Sequence, residues 1–237
     1  MAAINLQPLP LPDPSGMHIP DGFINAPVAA IAWGITVVVV AAAVWRTNRT
    51  LSEKAVPLMG VMAAFIFAAQ MINFPVAGGT SGHLLGGTLV AILVGPWAGI
   101  IVMASVLGVQ ALIFQDGGLV AMGANILNMG IVGCLVGYAI YSGVGFFGNG
   151  RPWPRLAGAF AGAWFAVMTA AFLTSIQLGL SDTSPYHVVL PAMTGVHSII
   201  GVVEGFITAA AVAFVMSARR DLLEAPAWGP VKEAVVD

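Results

Sequence analysis

Charged residues, Glu204 apart, vanish from seven stretches of the chain, each bounded by prolines, glycines or a short charged segment: Ile24–Trp45, Val56–Phe74, His83–Val94, Pro96–Phe114, Gly118–Tyr141, Leu156–Leu180 and Leu190–Ser217. A membrane-spanning helix needs about 20 predominantly apolar residues, and six of the windows come near that length or pass it. The third is different. As a helix its dozen residues rise only about 18 Å against roughly 30 Å of hydrocarbon, so it tilts, re-enters, or borrows residues across Gly95-Pro96. The pattern predicts an all-α, polytopic membrane protein with about seven transmembrane helices.

Composition points the same way. Of the 237 residues, 59% are hydrophobic and 8% charged, against roughly 25% charged in an ordinary soluble domain. A net charge of −2 offers no basic surface for nucleic acid. Lysine and arginine favour the cytoplasmic side of a membrane. With the N-terminus outside and seven crossings, all eight basic residues (Arg46, Arg49, Lys54, Arg151, Arg155, Arg219, Arg220 and Lys232) fall inside. The histidines His18, His83, His187 and His197 then belong to the outer half. Merging the third and fourth windows would put Arg151 and Arg155 outside, so the charge pattern favours an odd number of crossings.

Three sections follow from this reading: an N-terminal extension over 1–16, a membrane-embedded region over 17–218 and a cytoplasmic tail over 219–237. Residues 1–16 contain four prolines and no apolar run of signal-peptide length, and are expected to be disordered or untranslated. A second methionine, Met17, opens the segment MHIPDGFINAP and is the expected start of the functional chain.

Several chemistries are absent from the sequence. There is no GxxxxGK[ST] phosphate loop, no HExxH and no GxSxG, so an ATP-driven process would need its ATPase on another polypeptide. The single cysteine, Cys134, permits neither an internal disulfide nor a CxxC site. A bound metal must therefore use nitrogen or oxygen.

Two segments offer those donors. FPVAGGTSGHLLGG at 74–87 sets His83 among glycines that let the backbone turn and approach a ligand closely; the plainer alternative is glycine for helix packing and a hydrogen-bonded histidine. If Met17 is N-terminal, its amine, the His18 amide nitrogen and the His18 ring close two adjoining chelate rings in one plane. His83 then completes a tetragonal nitrogen set that suits Ni(II) or Cu(II) and accepts Co(II). The plainer reading makes MHIPDGF a turn built on Pro20-Asp21-Gly22.

The last window places Thr194, His197, Gly201, Glu204 and Thr208 on one helix face. Glu204 is the one carboxylate deep in a span. Unpaired, its charge would cost several kcal/mol, so it is either neutral or partnered. The stripe reads as a packing network or as an ion or proton relay, with the packing network favoured. Asn73, Gln110, Asn125 and Asn128 read as packing in the same way, and His187 as a loop residue. Gly133 with Gly137, and Gly158 with Gly162, have GxxxG spacing for close helix crossing within the chain or against a partner.

MHIPDGFINAP at 17–27, GGTSGHLLGGTLVAILVGPWAGIIVM at 78–103, FQDGGLVAMGANILNMGIVG at 114–133 and TGVHSIIGVVEGFIT at 194–208 together resemble the substrate-binding membrane subunit of cobalt and nickel energy-coupling-factor transporters, the CbiM/NikM family. The resemblance runs from Met17 to about Ser217. It implies metal ligation by the Met17 amine, the His18 backbone and ring nitrogens, and His83. It also implies four partners in the lipid bilayer of the cytoplasmic (inner) membrane or attached to it: a membrane coupling subunit, two cytoplasmic ATPase subunits and a small accessory membrane protein. The chain itself then has no cofactor, and Co(II) or Ni(II) is cargo. The 16-residue extension departs from the family pattern, because it turns the required amine into an amide; a misassigned start is the expected explanation. The rival expectation is a self-sufficient secondary metal transporter or channel using Glu204 and His197.

Overall fold

The computed structural model describes residues 18–51, 55–72, 74–76, 80–147, 151–219 and 221–224. Met17 and Asn73 lie outside them. Among the described residues are seven main helices: α1 (Ala26–Thr50), α2 (Val56–Gln70), α3 (Gly87–Val94), α4 (Pro96–Ile113), α5 (Met122–Phe146), α6 (Pro152–Leu180) and α7 (Tyr186–Ala218), followed by a short α8 (Asp221–Glu224). Five of them, α1, α4, α5, α6 and α7, are long and apolar enough to cross a membrane. Residues Ile126–Val132 of α5 form a π-helical stretch.

The all-α expectation holds, with two local departures from the apolar windows. The otherwise all-α chain contains a small antiparallel hairpin, β1 (Phe74–Val76) with β2 (Thr80–Gly82), Phe74 facing Gly82. Pro75 accounts for α2 stopping short of Phe74, because a proline both interrupts a helix and biases the residue before it towards extended backbone. The third window is helical only from Gly87. Residues 83–86 are non-helical, and Gly86, with φ +78°, is in the left-handed region.

That unwound stretch restores the length the third window lacks. Four non-helical residues, at no more than about 3.3 Å each, and eight helical ones at about 1.5 Å reach at most roughly 25 Å. The chain does pass between faces here. Gln70, at the end of α2, is hydrogen-bonded to Gln110, near the end of α4 (3.0 Å), so α2 and α4 finish at the same level. The start of α4 lies at the other level, where the Arg46 guanidinium sits 5.3 Å from the Trp97 ring centroid. The described arginines Arg46, Arg49, Arg151, Arg155 and Arg219 all stand at that second face, at the far ends of α1, α6 and α7 from His18. An odd number of passages is retained.

α3 is the hub. All eight of its residues are buried, as expected of a helix apolar on every side, and it packs on α4, α5, α6 and α7. The GxxxG pairs serve this packing within the chain. A Cβ on Gly162 would stand 2.5 Å from the Gly137 carbonyl oxygen, and one on Gly137 2.0 Å from Thr88 Oγ1. The bundle's outer surface carries Ile31, Ile35 and Val38 of α1 and Phe206 and Phe214 of α7, a surface suited to lipid.

Unwinding inside the bundle leaves backbone groups that helix formation would have paired, and hydrocarbon offers no replacement for those bonds. Glu204 of α7, 2% exposed, accepts from the Leu85 N–H (2.7 Å) and the Gly86 N–H (2.9 Å). Gln70 Nε2 donates to the Leu85 carbonyl (2.8 Å). The intramembrane carboxylate is therefore partnered, and by main chain. Glu204→Ala orphans two buried donors at about 1–3 kcal/mol each and is expected to lower unfolding free energy by roughly 3 kcal/mol. Glu204→Gln, whose amide oxygen serves one N–H while its NH2 faces the other, is expected to fall between the two. Thermal unfolding in detergent checks this; wild-type stability in Glu204→Ala would show that the loop is held by other groups.

Candidate metal centre

The segment before α1 is fastened along its length. Pro20-Asp21-Gly22 makes the turn read from sequence, with Gly22 at φ +88°. Asp21 does more than turn the chain. Its carboxylate accepts from the N–H groups of Leu119 (3.0 Å), Val120 (2.8 Å) and Ala121 (3.1 Å). These donors immediately precede α5, where the helix dipole also favours an anion. The Asn125 side chain takes both polar groups of the Ile19 backbone, accepting from its N–H and donating to its carbonyl at 3.1 Å each. The Gly118 N–H donates to the same carbonyl (3.0 Å). Further along, Asn25 bonds Ser181 Oγ and the Leu180 carbonyl and caps α1 through Val28 N–H, all at 3.0 Å, while Thr183 Oγ1 donates to the Phe23 carbonyl. The segment is a strap across the ends of α4, α5 and α6.

The strap sets His18 inside the protein, 7% exposed. Room for it comes from the loop after α4. Gly117 has φ +88°, and a Cβ there would lie 2.8 Å from the His18 Cβ, so only glycine admits this approach. The preceding Gln115 is also left-handed, with φ +56°, and between the two sits Asp116, its Oδ2 3.2 Å from His18 Nδ1. That contact has the separation of an ion pair but is out of line for a hydrogen bond, since neither ring nitrogen of His18 makes one among the described residues.

His83 arrives from the opposite direction, on the unwound stretch that Glu204 and Gln70 hold. It is 8% exposed. Its Nδ1 lies 3.0 Å from the Leu84 carbonyl, which assigns the proton to Nδ1 and the lone pair to Nε2. The His18 and His83 ring centroids are 5.1 Å apart, with the planes inclined by 68°. Two residues 65 positions apart in sequence thus share one buried spot below the strap.

The other candidates are placed elsewhere or occupied. His187 is exposed at the start of α7 and lines an open pocket with Gly179, Asp182 and Tyr186. His197 Nδ1 bonds the Met193 carbonyl of its own helix (2.8 Å), and Glu204 holds the His83 loop. Asn128 pairs with Gln177 (2.8 and 2.9 Å) and Thr174 (3.0 Å). Among the described residues, no three His, Cys, Asp or Glu side chains form a ready metal cage. Sequence reasoning named both histidines but missed Asp21, Asn125 and Asp116 as the groups arranging one of them. Their only signals were a PDG turn and a carboxylate beside two glycines.

This arrangement has counterparts among known proteins. A relative from Archaeoglobus fulgidus named for fused nickel transport (NikMN) is 41% identical over 210 residues, covering 88% of this chain and 68% of its own length. A cobalt transport protein CbiM of Sorangium cellulosum is 33% identical, covering 88% of this chain and 95% of its own. A crystal structure of a truncated transition metal transporter superposes with a TM-score of 0.78 at 33% identity, over 85% of this chain and 99% of that one. Residues 18–222 match the CbiM family, the cobalt uptake substrate-specific transmembrane region, and the chain belongs to that family.

Proposed function

We propose that the protein is the substrate-specific component of a cobalt or nickel importer, a multi-pass membrane subunit that captures the ion beneath its N-terminal strap. It is a transporter subunit and not an enzyme. The observation that carries this reading is the buried pair His18 and His83, brought together by two separately braced segments. On this reading the ligands are the Met17 amine, the His18 amide and ring nitrogens, and His83 Nε2, a four-nitrogen set suited to Ni(II) and accepting Co(II). The arginine-bearing face is the cytoplasmic one by the charge rule, which leaves the strap outside and the C-terminus inside. ATP hydrolysis then belongs to separate partners: a membrane coupling subunit with two ATPase subunits and a small accessory membrane protein, the arrangement of energy-coupling-factor importers. The rival reading, transport through Glu204 and His197, meets the difficulty that both side chains already hold backbone groups.

Single cysteines at Arg151 or Arg49 are expected to react with an impermeant thiol reagent only from the cytoplasmic side, and one at His187 only from outside. Labelling of the Arg151 position in intact cells would reverse the orientation. For the site, His18→Ala and His83→Ala are each expected to weaken Ni(II) or Co(II) binding by roughly a hundredfold or more, because one of four nitrogens is lost and no thiolate is near to replace it. His187→Ala is expected to bind as wild type. Calorimetry giving wild-type affinity in His83→Ala would remove this site.

The N-terminus supplies a sharper test. A chain whose first residue is Met17 can bind with loss of the His18 amide proton, so its affinity is expected to rise with pH, since binding releases protons. A chain holding residues 1–16 has an amide in place of that amine. It is expected to bind much more weakly, with a shallower pH dependence. Equal affinity and equal slope in both would exclude the amine clamp and leave a weaker site of two imidazoles.

A further inference from the structure

The loop FQDGG brings a carboxylate to the candidate centre, and none of the ligand roles above uses it. Asp116 is nearly as buried as the histidines, at 9%, with its Oδ2 3.2 Å from His18 Nδ1. Its position is specified from several directions. The Asp116 N–H donates to the Gln110 carbonyl (3.0 Å) at the end of α4, and Gln115 and Gly117 on either side are both left-handed. The next glycine is pressed against Asp21, where a Cβ on Gly118 would lie 2.0 Å from Asp21 Oδ1. A non-glycine residue with positive φ persists where the surroundings over-determine it. Here the effect is to hold a carboxylate against the histidine ring.

The nitrogen involved is the informative one. A chelate that uses the His18 amide nitrogen can close only through Nδ1, because Nε2 lies on the far side of the ring. Asp116 therefore stands beside the atom that the clamp requires. Charge says what it does there. A divalent ion with one deprotonated amide retains a single positive charge, and the other nitrogens are neutral. In a buried site such a charge is strongly disfavoured unless it is offset. One carboxylate brings the total to zero.

We propose that Asp116 is the counter-charge of the metal site: an outer-sphere carboxylate that neutralises the cation held by His18 and its neighbours without itself joining the ligand set. The proposal rests on the metal-capture reading of the His18–His83 spot and adds a specificity rule to it, favouring divalent cations carried by one anionic nitrogen. Side chains outside the first coordination sphere of a metal commonly change affinity by 10–100-fold.

Charge and shape can be separated by two variants. Asp116→Asn keeps the shape and removes the charge, whereas Asp116→Glu keeps the charge and disturbs the shape. With protein purified from membranes as the cell produces it, Ni(II) titration is expected to show a loss of roughly 10–100-fold in Asp116→Asn. Asp116→Glu should recover most of that loss, and the visible spectrum of bound Ni(II) should be the same in all three proteins. The opposite order, with Glu weaker than Asn, would make Asp116 a packing residue and overturn the proposal. So would wild-type affinity in Asp116→Asn, or a changed Ni(II) spectrum, which would make Asp116 a ligand. His18→Ala in the same titration keeps the two ideas distinct. If it abolishes binding while Asp116→Asn does not weaken it, the counter-charge fails and the site stands; if it binds as wild type, the site itself fails. Should Asp116→Asn not fold, Asp116→Glu decides alone, since affinity far below wild type at intact thermal stability contradicts a role set by charge.

Discussion

A backbone that unwinds inside a membrane protein must find partners for its N–H and C=O groups within the protein, because hydrocarbon supplies none. The third passage of this chain is too short to cross as a helix alone, and its first four residues are not helical. Much else depends on that. Glu204 is a carboxylate because two main-chain donors, Leu85 and Gly86, need an acceptor there. Gln70 is an amide because the Leu85 carbonyl needs a donor. Gln110 extends the same network, bonding Gln70 with its side chain and the Phe114 and Asp116 N–H groups with its carbonyl. The requirement that lets the chain cross thus also ties the His83 loop to the loop that flanks His18.

The helices were legible because charge disappears from them. Their ends were legible where local chemistry sets them. α6 begins at Pro152, four residues before the apolar window, since proline is favoured in a first turn. α5 begins at Met122 and not at Gly118, and the N–H groups of residues 119–121 just ahead of it are taken by Asp21, a partner about 100 positions away that the sequence does not reveal. The same distance hid part of the candidate centre. His18 and His83 stand out by residue type in any reading of donors. Asn125, which reads as a packing amide, is instead what grips Ile19 beside His18. Glu204 is conspicuous as a lone intramembrane acid, and its two possible roles are told apart only by the Leu85 and Gly86 contacts. The GxxxG pairs were visible too, but whether they served a partner or the chain's own interior was settled by Gly137 and Gly162 touching one another.

The distribution of polar groups also bears on how cargo can move. A relay through the membrane needs side chains that exchange partners as the ion passes. The α7 stripe is poorly suited to that, because releasing Glu204 strands two N–H groups in the bundle core, and His197 is already bonded within its own helix. Below the centre lie Val90, Val94 and Ile100, all fully buried, whose hydrocarbon side chains offer an ion no ligands. The donors are instead gathered at one face, under a strap fastened by Asp21, Asn25 and Asn125. On the proposed reading, an ion bound there cannot descend through the chain by stepping between donors. Its delivery on that reading calls for a movement of the bundle as a whole. Rigidity at the site follows from the same arrangement: among the described residues, Glu204, Gln70, Asn125 and Asn128 hold backbone or one another, and so are poorly placed to conduct.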